Sequence, residues 1–103
     1  MGSYVLIYVG GEAEPEDQLQ EVMDRWMAWF GRLGAAVVDG GNPFHSSASI
    51  APDGTVTMAT TSGATGYSII QADDLASALE LAAGCPHLEA NGTVEVHEIH
   101  EMG

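Results

Sequence analysis

The chain alternates between short apolar runs that predict strands and longer runs with helical spacing. Residues 4–9 are continuously apolar and rich in β-branched and aromatic side chains, which is typical of a strand buried on both faces. A stripe at spacings of three and four predicts a helix; its members are Leu19, Met23, Trp26, Phe30 and Leu33. The acidic segment 12–17 suits the first turn of this helix, and Gly34 suits its end.

The rest of the chain predicts five more strands and a second helix. The strands cover residues 35–39, 49–51, 55–58, 67–71 and 93–99. A glycine-rich turn at 40–43 closes the first of these strands, and Pro52-Asp53-Gly54 joins the next two as a hairpin. Asp73 is the predicted N-cap of the second helix, which ends at Gly84. The last strand breaks its alternation once, which predicts a bulge near His97-Glu98.

The element order is β-α-β-(β-hairpin)-β-α-β within a single domain, residues 1–103. This order predicts the α+β class and a ferredoxin-like sandwich in which both helices cover one face of the sheet. The first strand is apolar on both faces, yet the chain has no third helix to cover the second face. We therefore expect a second copy of the sheet to pack there, which makes the protein a homodimer.

Charge and cysteine content limit the binding partners and the cellular compartment that we expect for this protein. The chain has 15 acidic residues against Arg25 and Arg32, and its formal net charge is -13. Because Lys and Arg bind phosphate backbones and anionic lipid, we expect neither nucleic acid nor a membrane as partner. Cys85 is the only cysteine, and no apolar run near the N-terminus has the length of a signal segment. We expect a cytoplasmic protein.

Three residues are candidates for catalysis: His87, Asp39 and His45. His87 is held in a short loop after a helix, and restrained loops often carry function. The alternative is that its ring caps helix carbonyls or fills the loop. Asp39 ends an apolar strand before a glycine-rich turn, where it would act as a base or orient His45. The favoured alternative is that Asp39 and Asn42 bond the backbone of the turn.

The first helix carries more aromatic and thioether surface than one buried stripe needs. Trp26 falls on the predicted core stripe, whereas Trp29 and Met27 fall beside it and would line a pocket or a dimer contact. The predicted ligand-binding residues are Trp29, Asn42 and Tyr67.

No metal, cofactor or thiolate site is predicted. His97 and His100 lie beside glutamates, but residues three apart on a strand point to opposite faces, so a solvated acidic edge is favoured. No cofactor-binding motif occurs in the sequence. Cys85 stands two residues before His87, yet a lone cysteine is more often a small buried apolar residue, which is the favoured interpretation.

Three stretches of the chain carry a family resemblance. They are Tyr4-Val5-Leu6-Ile7-Tyr8, then Gly66-Tyr67-Ser68-Ile69-Ile70 leading to Asp73-Asp74-Leu75 and Ala78, and last Gly84-Cys85-Pro86-His87-Leu88 leading to Gly92-Thr93-Val94-Glu95-Val96. Together they resemble the YCII-related family of small dimeric α+β barrel proteins. The last stretch is the most specific, because Cys-Pro-His is not a generic connector between a helix and a strand. The resemblance covers essentially the whole chain. It implies a dimeric barrel with a cleft between sheet and helices.

The chain departs from the family pattern in two places. Many members carry Asp-Gly-Pro-Phe before the strand that contains Tyr67, where this chain has Thr-Thr-Ser-Gly-Ala-Thr at 60–65. Other members place a histidine on the first helix, and this chain has none between Met1 and Phe44, so a His-Asp pair is not carried over. The expected function is binding or conversion of a small, apolar or aromatic metabolite. The alternative is a non-catalytic dimerisation or regulatory module.

Overall fold

The computed structural model describes residues 1–102, which form a four-stranded antiparallel sheet, a separate hairpin and two helices. The sheet consists of β1 (Gly2–Gly10), β2 (Val37–Pro43), β5 (Ala64–Ala72) and β6 (Gly92–Glu98), and the hairpin of β3 (Ser49–Ile50) and β4 (Val56–Thr57). The helices are α1 (Leu19–Leu33) and α2 (Leu75–Ala82). Within residues 1–102, neither helix has the length and apolar character needed to cross a bilayer.

The order of strands in the sheet is β2-β5-β1-β6. The helix α1 connects β1 to β2, and β5 lies between these two strands. The helix α2 connects β5 to β6, and β1 lies between those two. All three pairings are antiparallel. Two interleaved β-α-β units of this kind make the ferredoxin-like arrangement. The predicted α+β class and element order are confirmed.

The core lies between the two helices and one face of the sheet. On β1 this face carries the buried side chains of Tyr4, Leu6 and Tyr8, and α2 packs against it through Ala78 and Ala82. Small side chains on α2 let the helix approach the sheet closely. The alternate residues of β1 are Val5, Ile7 and Val9, which face the other side and are only partly covered. β1 is apolar on both faces, as predicted, but this chain buries only one of them.

The helix boundaries differ from the prediction by a few residues. The acidic segment forms a 3-10 turn at Glu16–Gln18, and the α-helix begins only at Leu19. It ends at Gly34 as expected, with a φ of 56°. The N-cap of α2 is Asp74 rather than Asp73, because the Ser77 N–H donates to the Asp74 carboxylate at 2.8 Å. This bond holds the pKa of Asp74 below its ordinary value.

Two predictions about strand irregularity are wrong. The predicted turn at 40–43 belongs to β2, which continues to Pro43 with two shifts of register against β5. The bulge expected near His97-Glu98 does not form, because β6 pairs with β1 from Gly92 to Glu98 without a break. Gly41 explains the first difference: its φ is 74° and it lies against the backbone of Tyr67. The glycines absorb extra residues as a bulge instead of reversing the chain.

Candidate functional site

A cavity of about 390 Å³ lies between α1 and the β2–β5 edge of the sheet. Four α1 side chains form its apolar wall: Met23, Trp26, Met27 and Phe30. The opposite wall is built from the glycine-rich segments 40–43 and 65–68, in which three glycines, Gly40, Gly41 and Gly66, have no side chain to fill the space. The volume and the apolar lining are those of a small-molecule site.

Helical spacing explains the aromatic and thioether wall. Met23, Met27 and Phe30 are separated by four and three residues, so they share one face of α1. Trp26 lies beside them and contacts three other rings, those of Tyr8 at 5.2 Å, Trp29 at 5.7 Å and Phe30 at 5.9 Å between centroids. Met23 and Met27 are mostly exposed, so their thioethers border the opening.

A buried hydrogen-bond chain forms the base of the cavity. The Tyr8 hydroxyl donates to Ser68 Oγ at 2.7 Å, and the Ser68 hydroxyl donates to the Gly40 carbonyl oxygen at 2.7 Å. Burial raises the pKa of Tyr8 well above its ordinary value, so this hydroxyl stays protonated. Neither residue was predicted as part of the site. The one sequence signal was Ser68, a hydroxyl in the middle of an apolar strand.

Cys85 lies against the Tyr8 hydroxyl and is buried. Burial raises the pKa of its thiol to about 11. A thiol that stays protonated at neutral pH is a poor nucleophile. The interpretation of Cys85 as a small buried residue is confirmed.

His87 lines the cavity from the short 3-10 segment Pro86–Ala90. Its Nε2 lies 3.1 Å from the carbonyl oxygen of Val9, so this nitrogen carries a proton and donates. Nδ1 is therefore the acceptor of the neutral ring. The ring also packs on Gly11 and Gly92; a methyl group on Gly11 would lie 2.7 Å from His87 Cε1, and one on Gly92 would collide with the ring. The ring thus fills the loop and also lines the cavity, and a catalytic role for His87 stays a prediction.

Three of the six predicted site residues line the cavity, namely His87, Asn42 and Tyr67. Tyr67 does so through its backbone. Since Ser68 points toward the helices, alternation along the strand sends the Tyr67 ring to the other face of the sheet. There its hydroxyl donates to Asp39 Oδ2 at 3.3 Å, and its ring stacks on Phe44.

Asp39 and His45 lie outside the lining of the cavity. Asp39 Oδ1 accepts from the Gly41 N–H at 2.8 Å, which is the backbone bond that the alternative interpretation expects. His45 is exposed in the segment after β2. Within residues 1–102 no hydrogen bond joins the two side chains, and their catalytic roles stay predictions.

The structure corrects the placement of the two tryptophans. Trp29 is 1% exposed, lies in the core and donates its Nε1–H to the Leu81 carbonyl oxygen at 3.1 Å. Trp26 lines the cavity instead. The reason is the rotation of α1, which turns position 29 toward α2. The prediction assumed that the centre of the hydrophobic stripe, where Trp26 lies, is the most deeply buried part of the helix.

The histidines near the C-terminus belong to the exposed surface. His97 Nε2 lies 3.1 Å from Glu95 Oε1, two residues earlier on the same face of β6. His100 follows the end of the strand. Of residues 1–102, no group of three or more His, Cys, Asp or Glu side chains is placed to hold a metal ion.

Alkaline pH should destabilise the fold through Tyr8 and Cys85. Both groups have a raised pKa in the folded state, so the folded protein retains protons that the unfolded chain releases. Their stabilising contribution is complete below the unfolded pKa values and is lost as pH rises toward the folded ones. The pKa of the Cys85 thiol rises from 9.0 to about 11 on folding. Its ionisation over that range should therefore lower the free energy of unfolding by about 2–3 kcal/mol.

Urea unfolding measured between pH 7 and pH 11 tests this prediction. The free energy of unfolding should begin to fall near pH 9, the ordinary pKa of a thiol. Cys85→Ala should lower stability at neutral pH, and it should flatten the decline of stability above pH 9. An unchanged slope in this variant would contradict the assignment to the thiol.

Comparison with curated proteins and with solved structures finds no match to this chain. The model of the YCII-related domain, in contrast, matches residues 3–103. The match takes in the six strands, both helices and the loop that carries His87. Because it spans essentially the whole chain, the protein belongs to the YCII-related domain family.

Proposed function

We propose that this protein binds a small, largely apolar ligand in the cavity between α1 and the β2–β5 edge. The observation that carries this proposal is the lining: an aromatic and thioether wall faces a glycine-rich wall, and the few polar side chains include those of Tyr8, Ser68, His87 and Asn42. An apolar pocket with a few convergent polar groups is the usual form of a small-molecule site. The apolar wall would supply affinity and the polar groups orientation.

His87 is the proposed acid-base group of the site. The Val9 carbonyl oxygen holds Nε2–H, so Nδ1 of the neutral ring is left to accept a proton. A histidine held in one tautomer is suited to general-base work on a ligand, because its accepting atom has a defined position. Tyr8 is less suited to that role, since its hydroxyl is already bonded to Ser68.

Methionine methyl resonances test the binding proposal. Of the five methionines, Met23 and Met27 line the cavity, whereas Met58 is exposed and outside the lining. With ¹³C-methyl-labelled protein, 1-naphthol as a neutral aromatic probe should shift the Met23 and Met27 signals and leave Met58 unchanged. Equal shifts at all three, or none at millimolar probe, would contradict the proposal.

Replacing His87 separates its structural and ligand-directed roles. His87→Ala should cost about 1–2 kcal/mol of stability, because the bond to Val9 and the packing on Gly11 and Gly92 are lost. It should also weaken 1-naphthol binding to the folded protein. His87→Gln, which keeps an N–H donor, should recover part of the stability but not the affinity. Lost stability with unchanged affinity would limit His87 to the structural role.

We also propose that the protein is a homodimer built on the second face of the sheet. Val5 and Ile69 are directly paired across β1 and β5, with Ile7 beside them, and all three are apolar and only half-buried. A contiguous apolar sheet face of this kind favours a partner surface, and a second copy provides one by symmetry.

Light scattering after gel filtration should report twice the chain mass of 10.8 kDa at micromolar concentration. Ile7→Glu should shift the protein toward monomer, because a carboxylate would be buried without a partner. Leu79→Glu is a matched control, since Leu79 is an exposed apolar residue on the helical layer. Dissociation by Leu79→Glu but not by Ile7→Glu would place the interface elsewhere.

A further inference from the structure

Three aromatic rings lie around the cavity in different orientations. The Trp26 ring is nearly perpendicular to that of Tyr8, at 84°, and inclined to that of Phe30 by 39°. All three residues line the same cavity, and the inclined planes bring a mixture of ring faces and edges to it. The negative face of an aromatic ring attracts cations within about 6 Å, and several rings together recognise quaternary ammonium groups. The thioethers of Met23 and Met27 add polarisable surface at the opening.

No lysine or arginine side chain lines this cavity. The two arginines are directed elsewhere. Arg25 approaches Glu89 at 3.5 Å and Glu14 at 3.9 Å, and the Arg32 guanidinium lies near Gly84. A carboxylate or phosphate ligand would therefore lose its hydration without gaining a lysine or arginine partner, which is unfavourable.

The chain as a whole is strongly acidic, and one acidic residue lies beside the opening of the cavity. The chain carries a net charge of -13, and Asp24 precedes Met27 by three positions, which places the two residues next to each other on the surface of α1. A one-signed field focused by low-dielectric walls raises the local concentration of ions of the other sign. The aromatic rings and the negative charge of the chain thus both favour a cationic ligand.

We infer that the ligand of this cavity is an organic cation, with an amine or quaternary ammonium group on an apolar body. The inference rests on the proposed function and deepens it by naming the charge of the ligand. The ammonium group lies against the rings of Trp26, Tyr8 and Phe30, and the apolar body fills the space toward Met23 and Met27.

Three probes of one shape test this inference on the unaltered chain. Benzyltrimethylammonium is the cation, neopentylbenzene its neutral carbon isostere, and phenylmethanesulfonate an anion of similar size. Dissociation constants come from the Met23 and Met27 methyl shifts, with Met58 as internal control. The cation should bind about tenfold more tightly than the neutral isostere, and the anion more weakly than both. Raising salt from about 20 mM to about 300 mM should reduce the preference for the cation severalfold.

Two aromatic substitutions test whether the preference for the cation arises in this cavity. Trp26→Leu should remove most of the preference for the cation while the neutral isostere still binds. Phe44→Leu is the matched control, since it removes an aromatic ring outside the lining and should keep the preference.

Equal binding of cation and neutral isostere would overturn this inference and leave the proposed function intact. Tighter binding of the sulfonate would do the same. Failure of all three probes to shift Met23 and Met27 would overturn both. The comparison on the unaltered chain decides between these outcomes even if Trp26→Leu does not fold.

Discussion

Trp29→Ala should cost about 3–5 kcal/mol of the free energy of unfolding. The indole is among the largest fully buried side chains in the protein, and it packs on Trp26 and Phe30 at ring distances of 5.7 and 5.0 Å. Its removal leaves a cavity between α1 and α2, and the Leu81 carbonyl oxygen loses its indole donor. Urea unfolding followed by far-ultraviolet circular dichroism measures the loss.

Trp26→Ala is the matched control for this prediction, because the two residues share one helix. Trp26 is only partly buried and lines the open cavity, so water can fill the space that it leaves. We expect a stability loss of about 1–2 kcal/mol and impaired binding of 1-naphthol. Trp29→Phe should retain binding in the folded protein, although it loses the N–H donor. A larger stability loss in Trp26→Ala than in Trp29→Ala would instead support the placement predicted from the sequence, with Trp26 in the core.

Gly41→Ala should prevent stable folding or cost at least about 4 kcal/mol. The φ of Gly41 is 74°, and a methyl group there would collide with the carbonyl group of Tyr67, which is backbone and cannot rotate away. Relieving the collision would separate β2 from β5 and open the backbone wall of the cavity. Circular dichroism and the dispersion of amide resonances report whether the variant folds.

Gly10→Ala separates the collision from the cost of a positive φ. Gly10 has a φ of 65°, close to that of Gly41, but a methyl group there would meet nothing within 4 Å. We therefore expect a loss of about 1 kcal/mol. Similar losses in both variants would mean that backbone conformation, and not the approach to Tyr67, makes glycine necessary at position 41.

The element order was predictable because each element has a local signal. The strand β1 was predictable from its continuous apolar run, although the run does not indicate which of its two faces this chain buries. The N-cap was misplaced by one residue because Asp73 and Asp74 are equally good caps, and only the backbone geometry selects Asp74. The bulged path of β2 depends on its contact with Tyr67, more than twenty residues away in sequence.

The site was only partly predictable because its contacts are not local. The spacing of apolar residues predicts a stripe on α1, but the rotation of the helix is set by α2 and by the Leu81 carbonyl oxygen, which bonds Trp29. His87 was singled out by its loop, yet its partner Val9 is 78 residues away. The Tyr8–Ser68 pair joins two strands whose sequence patterns carry no information about each other.

The two edges of the sheet are unequal, and the cavity is built on the weaker one. β6 pairs with its neighbour continuously, whereas the pairing of β2 with β5 is interrupted by two register shifts. Backbone amides exchange with solvent only while their hydrogen bonds are open, so β2, whose pairing opens more easily, should exchange faster than β6. One wall of the cavity can therefore open locally while β1 and β5 remain closed at the centre of the sheet. A bound ligand would slow exchange along β2 first.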